Sequence, residues 1–209
     1  MIRYVIVLMP TATEYFSPMI FTLSLIGVIY ASITTLRQTD LKRIVAYSSV
    51  AHMGIVTMGI FALTTQGIEG AIFIQLAHGI VSSGLFIAVV LLYERYHTRT
   101  LRYYSGIAIT MPLFSIMFFV LTMSNIAVPG TANFVGEILT IRGVFETSQA
   151  VSIMSTVGMV LGASYGLFMY NRVTYGAVTP YVEATPRDLT RREFVTIAPL
   201  VVSSIILGV

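Results

Sequence analysis

Apolar residues gather in six long runs along the chain, at 18–36, 44–63, 71–93, 107–145, 150–170 and 194–209. Four of the runs are close to the roughly 20 residues that a helix needs to cross a bilayer. A helix satisfies its own backbone polar groups in lipid, which an open strand cannot do. The runs are too long for barrel strands and lack period-two alternation. The pattern predicts an all-α polytopic membrane protein with about six transmembrane helices.

The fourth run is anomalous. A continuous helix over 107–145 would be about 58 Å long, against a hydrocarbon core of roughly 30 Å. Break signals sit inside it, at Asn125, Pro129, Gly130, Thr131 and Asn133. Proline removes a backbone donor and glycine relaxes the chain. The expectation is one discontinuous helix: half-helices at 107–127 and 133–145, broken around Pro129 and Gly130. Residues 1–9 are apolar but too short to span, and read as the tail of a helix. The whole chain reads as one membrane domain, 1–209. Five helices fill 18–171, a basic loop follows at 172–193, and 194–209 starts a terminal helix.

Charge adds orientation. Arg37, Lys42 and Arg43 follow the first run, and Arg95, Arg99 and Arg102 follow the third. Arg172, Arg187, Arg191 and Arg192 follow the fifth. The connections after the second and fourth runs hold no basic residue. Ten of the twelve basic residues therefore fall on one side, Arg3 and Arg142 being the exceptions. The positive-inside rule assigns that side to the bacterial cytoplasm or the mitochondrial matrix.

Composition agrees. The chain is 56% hydrophobic and 10% charged, where soluble domains carry about 25% charged residues. Cysteine is absent, which excludes disulfides and thiolate-held iron–sulfur clusters. No GxGxxG follows a strand, so no dinucleotide site is expected. No basic stripe with interleaved aromatics suggests nucleic acid.

Ionisable residues inside spans are costly and are candidates for function. His52, His78 and Glu137 each fall near mid-membrane, on three different helices. Ser48 lies one turn before His52; Gln75 and Ser82 flank His78 at helical spacing. Hydroxyls, amides and imidazoles can hold water and relay protons. Loose backbone around 129–134 should line a hydrated cavity enclosed by protein. The alternatives are packing histidines satisfied by serines, and a buried hydrogen-bonded carboxyl at Glu137. Arg142 is either a partner of Glu137 or a side chain that reaches to the surface. His97 and Glu69 read as loop residues. Asp40 reads as a helix start. The Phe and Tyr content reads as lipid-facing and interfacial.

Four stretches carry a resemblance: LRQTDLKRIVAYSSVAHMG at 36–54, AHGIVSSGLF at 77–86, YERYHTR at 93–99 and VPGTANFVGE at 128–137. They resemble the antiporter-like membrane subunits of respiratory complex I, nearest to the subunit 4 branch. The resemblance covers essentially the whole chain. It implies a fourteen-helix fold made of two inverted five-helix repeats. The first five helices here correspond to the second repeat, and the sixth starts the last helix. The broken fourth run matches the family's discontinuous helix. The family's motif glutamate falls on Glu137, and its membrane histidines fall on His52 and His78. By resemblance these form the half of a proton path that leads to the outer side.

The departure is the absence of a first repeat, with its glutamate and mid-membrane lysines. Lys42, the single lysine, sits at the membrane edge. The expected reading is a fragment or a naturally split subunit, the other half coming from a separate chain with about eight helices. Expected partners are membrane-arm subunits of complex I and phospholipids. No cofactor is expected on this chain; NAD, FMN, iron–sulfur clusters and ubiquinone belong to other subunits. The mitochondrial inner membrane is the expected location, with a bacterial plasma membrane as the alternative. Rival functions are a multi-subunit cation/proton antiporter subunit and a purely structural membrane subunit.

Overall fold

The computed structural model describes residues 1–178 and 187–209. Positions 179–186 of the expected 172–193 loop lie outside the described residues. Helices α1 to α8 are Pro10–Leu36, Leu41–Phe61, Thr65–Tyr96, Ile107–Thr110, Pro112–Asn125, Ala132–Thr147, Gln149–Thr174 and Arg191–Ile206. Among the described residues the only extended pairing is an isolated bridge between Asp40 and Thr100. The all-α expectation holds. Helices α1, α2, α3 and α7 are each long and apolar enough to cross a membrane.

Several boundaries move. The first helix starts at Pro10, with Pro18 inside it, and a short π-helical turn over Ile2–Ile6 precedes it. The third starts at Thr65, where the Thr64 hydroxyl accepts a hydrogen bond from Gly67 N–H. Glu69 is therefore an exposed helical residue and not a loop acid. Asp40 starts α2 as expected: its carboxylate accepts the Lys42 N–H at 2.9 Å, filling one orphan donor of the first turn.

The fourth run is broken twice. The anticipated break falls at 126–131, between α5 and α6, where Ala127 and Gly130 adopt φ of +61° and +89°. A second break, not anticipated, separates α4 from α5 at Met111, before Pro112. The residue before a proline is driven out of the helical region, and Met111 sits at φ −135°, ψ 71°.

The ends of the helices sort by charge. At the basic end, Leu41 N–H donates to Arg99 C=O and Leu101 N–H to Thr39 C=O, joining the first two basic loops. The third joins through Arg95, whose guanidinium donates to Arg187 C=O at 2.9 Å and pairs with Glu193 at 2.7 Å. Thr190 and Glu193 close a capping box there. The loops read as one basic side thus share one end of the bundle.

At the opposite end α3 lies against α6 at glycine-close range. A Cβ on Gly70 would fall 2.6 Å from Thr140 N, and Gly59 and Gly67 also face each other there. The core divides in two. One cluster surrounds α3, α5 and the end of α7; the other joins α1 to α2 and the start of α3. Val28 of α1 is fully buried against Gly54 of α2 and Gly158 of α7. Large apolar side chains elsewhere on α1 and α7 point outward, among them Phe16, Leu23, Val160 and Phe168. An outward apolar surface of this kind suits lipid or a packed neighbour.

Candidate functional site

The residues that the sequence singled out at mid-membrane converge. His52 comes from the middle of α2, His78 from the middle of α3 and Glu137 from the second turn of α6. Their exposures are 5%, 5% and 2%. His52 Nδ1 lies 2.9 Å from Glu137 Oε1. The two atoms are at ion-pair distance, yet neither makes a hydrogen bond, because the oxygen lies off the direction of the ring N–H. The His52 and His78 rings are 4.9 Å apart, tilted by 38°.

Chain geometry explains the convergence. α3 and α6 run antiparallel: Gly70 meets Thr140 and Ile74 meets Gly136. One turn further on α3 is His78, and the residue after Gly136 is Glu137. The Pro129–Gly130 break starts α6 at mid-depth, so Glu137 falls within two turns of a helix N-terminus. The partial positive charge there favours a carboxylate. The C-terminal segment covers one side of the break: Gly208, just past α8, packs on the Thr131 backbone, and the Ser124 hydroxyl donates to Ser204 Oγ at 3.2 Å. Ala127, Thr131 and Asn133 are buried, whereas Pro129 and Gly130 are exposed, so within this chain the enclosure expected of the whole stretch is only partial.

Beside the pair lies a cavity of about 10 Å³, lined by His52, Asn125, Glu137 and Tyr165 among apolar neighbours. That is room for about one water molecule. Asn125 Oδ1, both polar side-chain atoms of Asn133, and both ring nitrogens of His78 are buried without a hydrogen-bond partner. Buried polar atoms are seldom left so. They cluster at the helix break and the histidines, as expected of a centre that hydrates or exchanges protons.

Several expected neighbours do not take part. Gln75 faces outward from α3, and neither it nor Ser82 hydrogen bonds to His78. Arg142 is exposed and forms no ion pair with the buried Glu137. His97 is exposed, in the left-handed cap of α3. Ser48 is buried as expected, but its hydroxyl donates to Val45 C=O at 2.8 Å.

Tyr165 is the residue that the sequence reading missed, having been grouped with the lipid-facing aromatics. It is 3% exposed on α7, and its phenol interacts with Ser48 and with Glu137. The available signal was its spacing from small residues. Ser155, Gly158 and Gly162 precede it at three- and four-residue steps, marking the face of α7 that approaches other helices.

Membrane-length helices, one interrupted helix and a buried carboxylate–imidazole pair beside the interruption define a polytopic membrane protein of transporter-like build. Over residues 1–162 the chain matches the family described as NADH:quinone oxidoreductase/Mrp antiporter, transmembrane, and it belongs to that family. It is 51% identical over its full length to NADH-ubiquinone oxidoreductase chain 4 of Metridium senile. The chain spans 42% of that relative's length. Its backbone superposes with a TM-score of 0.93 on a chain of respiratory complex I from Thermus thermophilus, at 25% identity, covering 99% of this chain and 44% of that one. It also superposes with a TM-score of 0.84 on the Mrp complex of a Dietzia species. At 20% identity, over 93% of this chain and 44% of that one, this second likeness is one of fold.

Proposed function

We propose that this chain forms one half of a proton-translocating membrane subunit of an NADH:ubiquinone oxidoreductase, with Glu137, His52 and His78 passing the protons. The observation that carries the reading is the 2.9 Å approach of His52 Nδ1 to Glu137 Oε1 in a buried site beside a broken helix. A small rotation of the imidazole or carboxyl aligns donor and acceptor, and a proton then crosses between nitrogen and oxygen. The second His52 nitrogen is free to release or take a proton, with the His78 ring next in line. Tyr165 and Asn125 hold polar groups toward the same cavity and can orient a water in it.

No redox group is assigned to these residues. The electron-transfer groups, NAD, FMN, iron–sulfur clusters and ubiquinone, are placed on other subunits in this reading. The remaining helices of the path come from residues outside this sequence, in the same polypeptide or in a separate one. Membrane-arm neighbours and lipid cover the outward apolar faces of α1 and α7. The location that goes with this assignment is the mitochondrial inner membrane, basic loops toward the matrix.

Glu137→Gln in the assembled complex tests the reading. The expected result is normal assembly and a lower ratio of protons translocated to NADH oxidised. A full proton ratio in a normally assembled complex refutes the role of Glu137. Transport that runs without NADH would instead favour cation/proton exchange.

A further inference from the structure

A second pocket opens at the basic end, where the segment before α4 meets the end of α7. Its volume is about 430 Å³, and it shares no lining residue with the Glu137 cavity. Arg102, Tyr104, Ser105, Asn171, Arg172 and Tyr175 line it, and among the described residues no carboxylate does. Two neighbouring arginines of the basic end are engaged: Arg95 pairs with Glu193, and Arg99 lies over the Tyr93 ring at 4.7 Å. Among the described residues Arg102 and Arg172 have no ion-pair partner. Two arginines lining one pocket bring like charges to it, and an anion bound there would offset their repulsion.

The walls are held in place. Gly106 N–H donates to Tyr175 C=O at 3.2 Å, and the Ser105 hydroxyl donates to Ala177 C=O at 2.5 Å. Gly106 sits at φ +70°, and a Cβ there would fall 2.9 Å from Val178 N. The two segments can close this tightly only with glycine at that position. On the Arg102 side, Tyr104 is buried and its hydroxyl donates to Thr98 C=O. The pocket therefore presents two fixed segments, each carrying one arginine, at the end of a membrane-length helix. Lipid phosphates lie at that level of a bilayer.

We propose that Arg102 and Arg172 clamp a phosphate group, supplied by the headgroup of an anionic phospholipid or by free phosphate. Guanidinium forks match phosphate oxygens in geometry and charge. The site stands whether or not Glu137 carries protons.

The test uses the intact membrane complex containing this chain, reconstituted in phosphate-free buffer. The probes are photoreactive phosphatidylglycerol and photoreactive phosphatidylcholine, with labelled peptides mapped by mass spectrometry. The expected result is preferential labelling of 102–106 and 171–177 by phosphatidylglycerol. Arg102→Gln together with Arg172→Gln lowers it by roughly thirtyfold, and each single change by about fivefold. Arg102→Lys with Arg172→Lys keeps the charge and most of the labelling, which separates binding from assembly. Labelling that persists in millimolar inorganic phosphate identifies the lipid as occupant; labelling suppressed by it identifies free phosphate. Labelling that is absent, equal for the two lipids, or unchanged in the double glutamine variant overturns the site.

Discussion

His52 Nδ1 and Glu137 Oε1 face each other at 2.9 Å although 85 positions separate the two residues in the chain. One belongs to a continuous spanning helix, the other to a half-helix that begins only because the chain breaks at Pro129. The contact therefore depends on the break: a continuous helix through 126–131 would displace Glu137 along the bundle axis.

Replacing either imidazole should interrupt proton passage and leave the fold intact. Positioned acid–base groups contribute factors of about a hundred or more to proton transfer. His52→Gln, which removes the group touching Glu137, is expected to slow proton translocation by roughly tenfold or more. His78→Gln should act in the same direction and more weakly. Proton uptake and NADH oxidation, measured together in proteoliposomes, check this; an unaltered proton ratio in both variants contradicts it.

The α3–α6 approach should tolerate no side chain at Gly70. A methyl group there would meet Thr140 N and Oγ1, each at 2.6 Å, and Gly136 O at 2.9 Å. Gly70→Ala is expected to destabilise by about 1–3 kcal/mol, as overpacking does. Gly79, on the same helix, has nothing within 4 Å of its would-be Cβ. Gly79→Ala should be neutral or slightly stabilising, since alanine favours helix. Thermal denaturation of the assembled complex compares the two.

The clasp between Arg95 and Glu193 should open in acid. Burial raises the Glu193 carboxyl, but hydrogen bonds from Arg95 and Thr190 outweigh it and hold it below its ordinary value of 4.5. A carboxylate lowered on folding stabilises above its unfolded value and loses that contribution as pH falls through the folded one. Hydrogen exchange at the start of α8 should thus be steady near neutrality and rise, after correction for intrinsic rates, below about pH 4.5. In Glu193→Gln the start of α8 should exchange faster at neutral pH and show no such rise.

Asp188 should matter as the cap of α5. Its carboxylate accepts the N–H groups of Leu113 at 2.9 Å and Phe114 at 3.2 Å, across 75 and 74 positions of chain. Loss of an N-terminal cap costs about 1 kcal/mol. Asp188→Ala is expected to destabilise by that amount, and Asp188→Asn by less, in the same melting measurement. Equal stability of Asp188→Ala and the parent would show that another group caps the helix.

Much of the centre was legible without coordinates. Glu137, His52 and His78 stood out because charge and imidazole are rare inside apolar runs, and a count of residues put all three at one depth. Pro129 and Gly130 stood out because a 39-residue run cannot fit a bilayer unbroken. Tyr165 did not stand out, since a tyrosine facing lipid headgroups and one facing a buried carboxylate read alike. Arg142 misled for a related reason: it lies near Glu137 in sequence yet on another face of α6. Asp188 gave no signal, because two of its acceptor contacts reach a helix start far away in the chain.

The order of apolar runs, the alternation of basic loops and the place of the main break were determined by the sequence alone, because bilayer thickness and backbone hydrogen bonding leave few choices for such a pattern. Which face of each helix turns inward was decided only in three dimensions. Glycine contacts between α3 and α6, and Val28 set between Gly54 and Gly158, fix the rotation of the helices. That rotation brings Glu137 to His52, sends Arg142 and Gln75 outward, and leaves Arg102 and Arg172 facing a common pocket. Contacts between residues far apart in the chain set it, and the small-residue spacing on α7 is a local trace of it.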